Sequence, residues 1–254
     1  MHDNINRNKP WKTIVRKPSL KEGEVHIWRT FLDWPIEAIK KGLANLSMEE
    51  KARVKRLVNN QHRCYYIASH AALRAILTLY LPVLSALRFH YNDYGKPYLL
   101  NNPSLYFNLS DSHKIALYAI TVNREVGVDI ESMKSSIHIK NIAERFFSPN
   151  ENLACNYNKL PKDQYVEDFY RIWTLKEAYV KVIGQGLSFG LNRFTTNVNT
   201  DNIKRDGLLD VDEDANVAKR WALCSIPSAP GYMAALATEG PIKKIHYFAW
   251  SPTH

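Results

Sequence analysis

The hydrophobic period of this chain switches from helical to strand-like twice, and that recurrence limits the folds open to it. From Ser47 to about Tyr80 the pattern is helical. Ser47 stands as an N-cap with Glu50 at capping-box spacing. Ala68, Ala71, Ala72, Ala75, Ile76 and Leu79 then recur at i, i+3, i+4 and i+7, as one buried face requires. Pro82, which has no N–H to donate, closes the stretch. Residues 87–91, 106–110, 115–122 and 126–131 alternate like strands, with turn chemistry at 92–97 and 123–125. A second helical region follows residue 137, broken at Ser148-Pro149. Its clearest helix covers 163–183, with Val166, Phe169, Tyr170, Trp173, Tyr179, Val180 and Ile183 at helical spacing and Gly184 and Gly186 as the stop. Residues 194–198, 221–226, 232–237 and 245–250 return to strand, and residues 25–28 form a short strand near the start. Each half therefore mixes helix with antiparallel sheet, an α+β arrangement.

Charge divides the chain at the same place. Residues 1–125 hold 19 Lys and Arg against 10 Asp and Glu, whereas residues 126–254 hold 15 of each. The whole net charge of +9 thus lies in the first half. No Gly-, Ser- or Pro-rich linker separates the two, so the boundary is placed near residue 125, after a loose basic arm over 1–22. The expected organisation is an arm (1–22), a basic half (23–125) and a neutral half (126–254). A basic half implies an anionic partner, either nucleic acid or a phosphorylated small molecule, or else a solvated surface. No apolar run approaches the roughly 18 residues that span a bilayer. Residues 1–10 lack the apolar stretch of a secretory signal. The three cysteines (Cys64, Cys155, Cys224) are scattered and in no metal-ligand spacing. A cytoplasmic protein without a membrane span is expected.

Carboxylates mark the boundary. In a strand over 126–131, Val126, Val128 and Ile130 face one side and Gly127, Asp129 and Glu131 the other. Two adjacent carboxylates repel unless a cation joins them. The acidic face is either solvated or holds a divalent cation through oxygen ligands, as Mg²⁺ is commonly held. Glu177 and Lys181 sit at i, i+4 on the long helix, forming a surface ion pair or a third carboxylate with a lysine beside it. The glycines at 184, 186 and 190 follow a helix and have one residue too many for a dinucleotide fingerprint. Walker A, H-E-x-x-H and nucleophile-elbow sequences are absent.

Three segments taken together resemble the 4′-phosphopantetheinyl transferases of the Sfp type. They are Gly127-Val128-Asp129-Ile130-Glu131, Phe146-Phe147-Ser148-Pro149-Asn150-Glu151 and Trp173-Thr174-Leu175-Lys176-Glu177-Ala178-Tyr179-Val180-Lys181. Upstream, Gly95-Lys96-Pro97 and Phe107-Asn108-Leu109-Ser110 are similar to that family's earlier motifs. The resemblance runs from about Glu24 to Ala237. It implies two similar α+β halves packed as a pseudo-dimer with the active site between them. It also implies transfer of the phosphopantetheine arm of coenzyme A to a serine of an acyl or peptidyl carrier protein, leaving 3′,5′-ADP. By resemblance Asp129, Glu131 and Glu177 hold Mg²⁺, or Mn²⁺ in its place. Glu177 or a water it orients takes the serine proton, Lys181 neutralises phosphate charge, and Glu151 positions the nucleophile or supports the fold. Lys51, Arg53, Arg56, Lys96, Asn108 and Ser110 are the expected coenzyme A contacts. Asp111 stands where relatives usually carry His, so a carboxylate is expected beside the 3′-phosphate unless it turns away, with His113 as its substitute. The resemblance implies a monomer, and no nucleic-acid-reading motif supports the alternative partner.

Overall fold

The computed structural model describes residues 11–13, 17–82, 87–134, 138–155, 161–197, 207–212 and 214–252. The strands are β1 (Lys12–Thr13), β2 (Glu24–Phe31), β3 (Phe89–Tyr91), β4 (Pro97–Leu99), β5 (Leu105–Ser112), β6 (Ile115–Val122), β7 (Val126–Ser132), β8 (Phe194–Asn197), β9 (Gly207–Val211), β10 (Trp221–Ser225), β11 (Tyr232–Glu239) and β12 (Lys244–Ala249). The α-helices are α1 (Ile36–Asn45), α2 (Met48–Arg56), α3 (Asn60–Thr78), α4 (Ile139–Phe146), α5 (Pro149–Cys155), α6 (Lys162–Ile183) and α7 (Ala215–Ala218).

Local chemistry sets the helix ends. Ser47 accepts from the Glu50 N–H while the Glu50 carboxylate accepts from the Ser47 N–H, the expected capping box of α2. Asn59 caps α3 by accepting from His62 N. Helix α3 ends at Thr78, before Pro82. Gly184 closes α6 with φ 69°, a left-handed conformation that glycine adopts without a Cβ penalty. Helices α1 and α7 and strands β1, β4 and β9 are additional to the expected elements; for α1, Ile36, Ile39 and Leu43 stand at helical spacing.

Two sheets organise the core. The first has the order β1-β12-β2-β6-β5, with β1 and β2 parallel to β12 and the other pairs antiparallel. The second is antiparallel, β10-β11-β7. Helix α3 packs Ala68, Ala72, Leu73 and Ile76 onto Trp28, Tyr118 and Ile120 on one face of the first sheet. Val25, Ile27, Ile115 and Leu117 on its other face meet Val126, Val128, Ile130 and Leu236 of the second sheet. Helix α6 covers the far side of the second sheet through Leu175, Ala178, Tyr179 and Val182. The layers therefore run helix, sheet, sheet, helix.

Two expectations about organisation change. The last strand, β12, returns to the first sheet beside β2, so the neutral half supplies part of the basic half's sheet. The described part of the arm is packed rather than loose: Lys12 and Thr13 pair with β12, and Trp11 lies edge-on to Tyr247. Residues 1–10 and 14–16 of the arm lie outside the described residues. Among the described residues, no helix is long and apolar enough to cross a membrane.

Candidate active site

The junction between the sheets is made by side chains. Strand β7 is an edge strand, and its N–H groups at Val128, Ile130 and Ser132 turn away from β11 toward β5. Asn108 Oδ1, Ser110 Oγ and Ser112 Oγ, alternate residues of β5, accept from these three groups at 2.9, 3.3 and 3.1 Å. An edge that would otherwise carry open backbone donors is thereby closed. On the other face of β7, helix α6 crosses at Gly127. A Cβ there would run into the Ala178 carbonyl and the Val182 nitrogen. This close crossing carries Glu177 and Lys181 over Asp129.

The acidic face of the strand is consequently buried rather than solvated. Asp129 is only 2 % exposed. Its Oδ1 accepts from Ser110 Oγ at 2.9 Å and from Lys181 Nζ at 2.6 Å. Its Oδ2 is buried without a hydrogen-bond partner. Lys181 Nζ also donates to Ser110 Oγ at 2.7 Å. Glu131 accepts from Ser112 Oγ at 3.0 Å, and burial, then the charge of Asp129, raises its pKa. Burial, then the charges of Asp129 and Glu131, pushes Glu177 up to about 7 against the pull of Lys181. Asp129, Glu131 and Glu177 act on one another through their charges, with Lys181 as the cation bonded to Asp129. The orphaned Asp129 oxygen and the all-oxygen donor set fit a hard divalent ion such as Mg²⁺.

The raised pKa of Glu177 has a thermodynamic sign. Between its ordinary value of 4.5 and about 7, the folded protein holds a proton that the unfolded chain releases. This group's contribution to stability therefore falls as pH rises through that window. In EDTA, the melting temperature is expected to drop over this range, and Glu177→Gln to flatten the drop and raise the melting temperature above pH 7. Scanning calorimetry at a series of pH values checks this. An unchanged slope in the variant would refute the assignment.

Beside the junction lies a cavity of about 890 Å³, within the range of small-molecule sites. Arg53 and Arg56 of α2, Tyr66 and His70 of α3, and Asn108, Asp111 and His113 of the β5–β6 hairpin line it. Arg53 sits over the Tyr66 ring, which stacks on His70. Burial raises the pKa of Asp111 and Lys181 opposes it, so the cavity wall lies within the field of the carboxylate cluster's lysine.

Among the expected coenzyme A contacts, Arg53, Arg56, Asn108 and Asp111 line this cavity, whereas Lys51, Lys96 and Ser110, and the catalytic candidate Glu151, take other positions. Lys51 donates to the Ala44 carbonyl at 2.9 Å. Lys96 is drawn into the protein, where its Nζ meets Glu125 Oε2 at 2.5 Å and the Val182 carbonyl at the end of α6 at 2.8 Å. That anionic pocket neutralises it. Ser110 is turned to Asp129 and Lys181, on the carboxylate side of the sheet. Glu151 is 2 % exposed, and both its oxygens are used within the protein. Its Oε2 lies 2.7 Å from Lys176 Nζ and accepts from Ser148 N at 2.8 Å, while Oε1 accepts from Thr196 N and Oγ1 at 2.8 and 2.7 Å. These contacts tie α5 to α6 and β8 and support the fold.

Sequence reasoning passed over Ser112, Tyr66 and His70. For Ser112 a signal existed: Asn108, Ser110 and Ser112 are polar at period 2 on a strand whose alternate residues Leu105, Phe107 and Leu109 are apolar. Tyr66 and His70 are i, i+4 on α3, a spacing that says they share a face but not that the face lines a cavity.

Comparison with known proteins follows the same lines. The sequence model of the 4′-phosphopantetheinyl transferase superfamily matches residues 125–224. The 4′-phosphopantetheinyl transferase HetI of Nostoc sp. (strain PCC 7120) is 37% identical over 183 residues, 69% of this chain and 76% of that protein. A 4′-phosphopantetheinyl transferase of Bacillus subtilis is 30% identical over 181 residues, 69% of this chain and 77% of that one. Sfp of Bacillus subtilis (strain 168) is 29% identical over the same shares. Among solved structures, the holo-[acyl-carrier-protein] synthase of Thermotoga maritima covers 46% of this chain and 63% of its own. Its TM-score is 0.36 at 19% identity.

Proposed function

This chain belongs to the 4′-phosphopantetheinyl transferase superfamily, and from that premise we propose how its own residues divide the work. The protein transfers the 4′-phosphopantetheine group of coenzyme A to a serine of a carrier protein. The observation that carries the assignment of roles is the partnerless, buried Oδ2 of Asp129, in a carboxylate cluster beside a cavity with arginines on its wall.

Asp129, Glu131 and Glu177 hold a divalent cation, Mg²⁺ or Mn²⁺, which when bound supplies positive charge against the pyrophosphate oxygens. Arg53 and Arg56 on the cavity wall bind coenzyme A phosphates by charge-assisted hydrogen bonds. The serine oxygen attacks the phosphorus that bears the pantetheine arm. One P–O bond forms and the bond to the ADP oxygen breaks. Glu177, or a water it orients, takes the serine proton. Lys181 lies at the centre of the cluster and neutralises charge as it gathers on the departing 3′,5′-ADP. Ser110 and Ser112 are positioning residues, holding Asp129 and Glu131 by their hydroxyls.

The test is the intact mass of an apo acyl carrier protein after incubation with this protein, coenzyme A and Mg²⁺. A gain of one phosphopantetheine group is expected, abolished by EDTA and restored by excess Mg²⁺ or Mn²⁺. Transfer at full rate in EDTA would overturn the metal assignment.

A further inference from the structure

A second group of potential metal ligands lies on the other face of the first sheet. Glu24 and His26 are i, i+2 on β2 and share a face. His246 on β12 stands directly opposite His26 in the parallel register. One donor atom from each of the three lies within 4.8 Å of the others. This cluster is separate from the carboxylate site. His26 pairs with Ile120 on the face covered by α3, whereas Ser110 pairs with Leu117 on the face turned to the second sheet.

Two further observations point to a ligand there. His246 Nε2 is buried and has no hydrogen-bond partner, its nearest anionic neighbour being Glu24 Oε1 at 3.6 Å. That distance is too long for a hydrogen bond. It is close to the separation of about 3.3 Å between two ligands on a tetrahedral zinc with bonds of about 2.0–2.1 Å. Next, His26 is held from behind. Its Nδ1 lies 2.8 Å from the Tyr80 hydroxyl oxygen, which also accepts from Trp28 Nε1 at 2.7 Å. The Tyr80 contact occupies Nδ1 and fixes the ring, so Nε2 is the nitrogen left for an ion, as with the partner behind a metal-bound imidazole.

We propose that Glu24, His26 and His246 form a second metal site, selective for a first-row transition ion of the zinc class, that fastens the last strand of the chain to β2. Two imidazoles and one carboxylate suit zinc and its neighbours and are a poor set for Mg²⁺. Three protein ligands leave the fourth position of a tetrahedral ion to water. Because β12 joins its sheet between β1 and β2, the ion clamps the strand through which the second half of the chain is anchored to the first. Binding to the folded state alone stabilises it without entering the transfer reaction.

The experiment uses the full chain stripped of metal and then saturated with Mg²⁺, so that the carboxylate cluster is occupied. Titration with Co²⁺ is expected to give the intense visible bands of a four-coordinate, nitrogen-ligated ion at one equivalent, with Zn²⁺ displacing it and raising the melting temperature. His246→Ala and Glu24→Gln, both partly exposed positions, are each expected to lose the bands and to weaken Zn²⁺ binding by at least about a hundredfold. Both variants keep Mg²⁺-dependent transfer, which separates this site from the catalytic one. Absence of the bands in the wild-type chain, or the same bands and affinity in both variants, would overturn the proposal.

Discussion

Asp129→Ala is expected to lower kcat/KM for transfer by at least about a hundredfold, the order of loss on removing one electrostatic stabiliser from an enclosed site. The carboxylate is 2 % exposed and makes two side-chain hydrogen bonds, to Ser110 and Lys181. The structural cost of removing it is small, because Lys181 is 27% exposed and its ammonium can turn to water. The melting temperature should therefore move by only a few degrees while turnover collapses. Asp129→Asn keeps the shape and the bond to Ser110 but removes the charge, and it should be nearly as inactive. Steady-state transfer assays on both variants at saturating Mg²⁺, beside their melting curves, separate chemistry from folding. Near-normal turnover in either would remove Asp129 from the metal site.

Glu151→Ala should act in the opposite way, costing stability first. It leaves the ammonium of Lys176, 0 % exposed, without its counter-charge. Its remaining partners are the Leu191 and Phe194 carbonyls and the Phe194 ring. Removing one member of such a buried pair costs about 3–5 kcal/mol, and in a chain of this size the melting temperature falls by about 10 °C. Replacing both members, Glu151→Leu with Lys176→Met, removes the stranded charge and should recover much of the loss. The decisive readout is turnover in the double variant. A group with a chemical task would leave a stable but inactive enzyme, whereas a purely supporting pair leaves one that still transfers. We expect the latter.

Both contrasts show how far residue order can be read. The alternation of Val126, Val128 and Ile130 placed those side chains in the core, and placed Asp129 and Glu131 together on the opposite face. The structure agrees, since local periodicity and burial point the same way there. Gly184 ended α6 where its left-handed conformation allows it. Ser148 and Glu151 carried a capping-box spacing as clear as that of Ser47 and Glu50. The pair does cap α5 at Ser148, yet Glu151 also reaches Lys176 and Thr196, and nothing in its own segment announces those partners. Lys96 is an expected phosphate contact by resemblance alone; that its ammonium meets Glu125 and the end of α6 depends on partners far along the chain.

By itself the sequence determined the two helix-to-strand cycles, the capping of α2, the stop of α6, the sharing of one strand face by Asp129 and Glu131, and membership of the transferase family. All of these depend on interactions within about one turn or one strand, or on motifs that survive as letters. Only the tertiary structure decided that this acidic face is buried, that Glu177 and Lys181 lie over it, that Ser110 serves Asp129, and that β12 returns to stand beside β2. Those outcomes rest on a helix crossing a strand at Gly127 and on two edge strands meeting through side chains. The burial that raises Glu177 to about 7 arises from that packing and from no property of its neighbours in the chain.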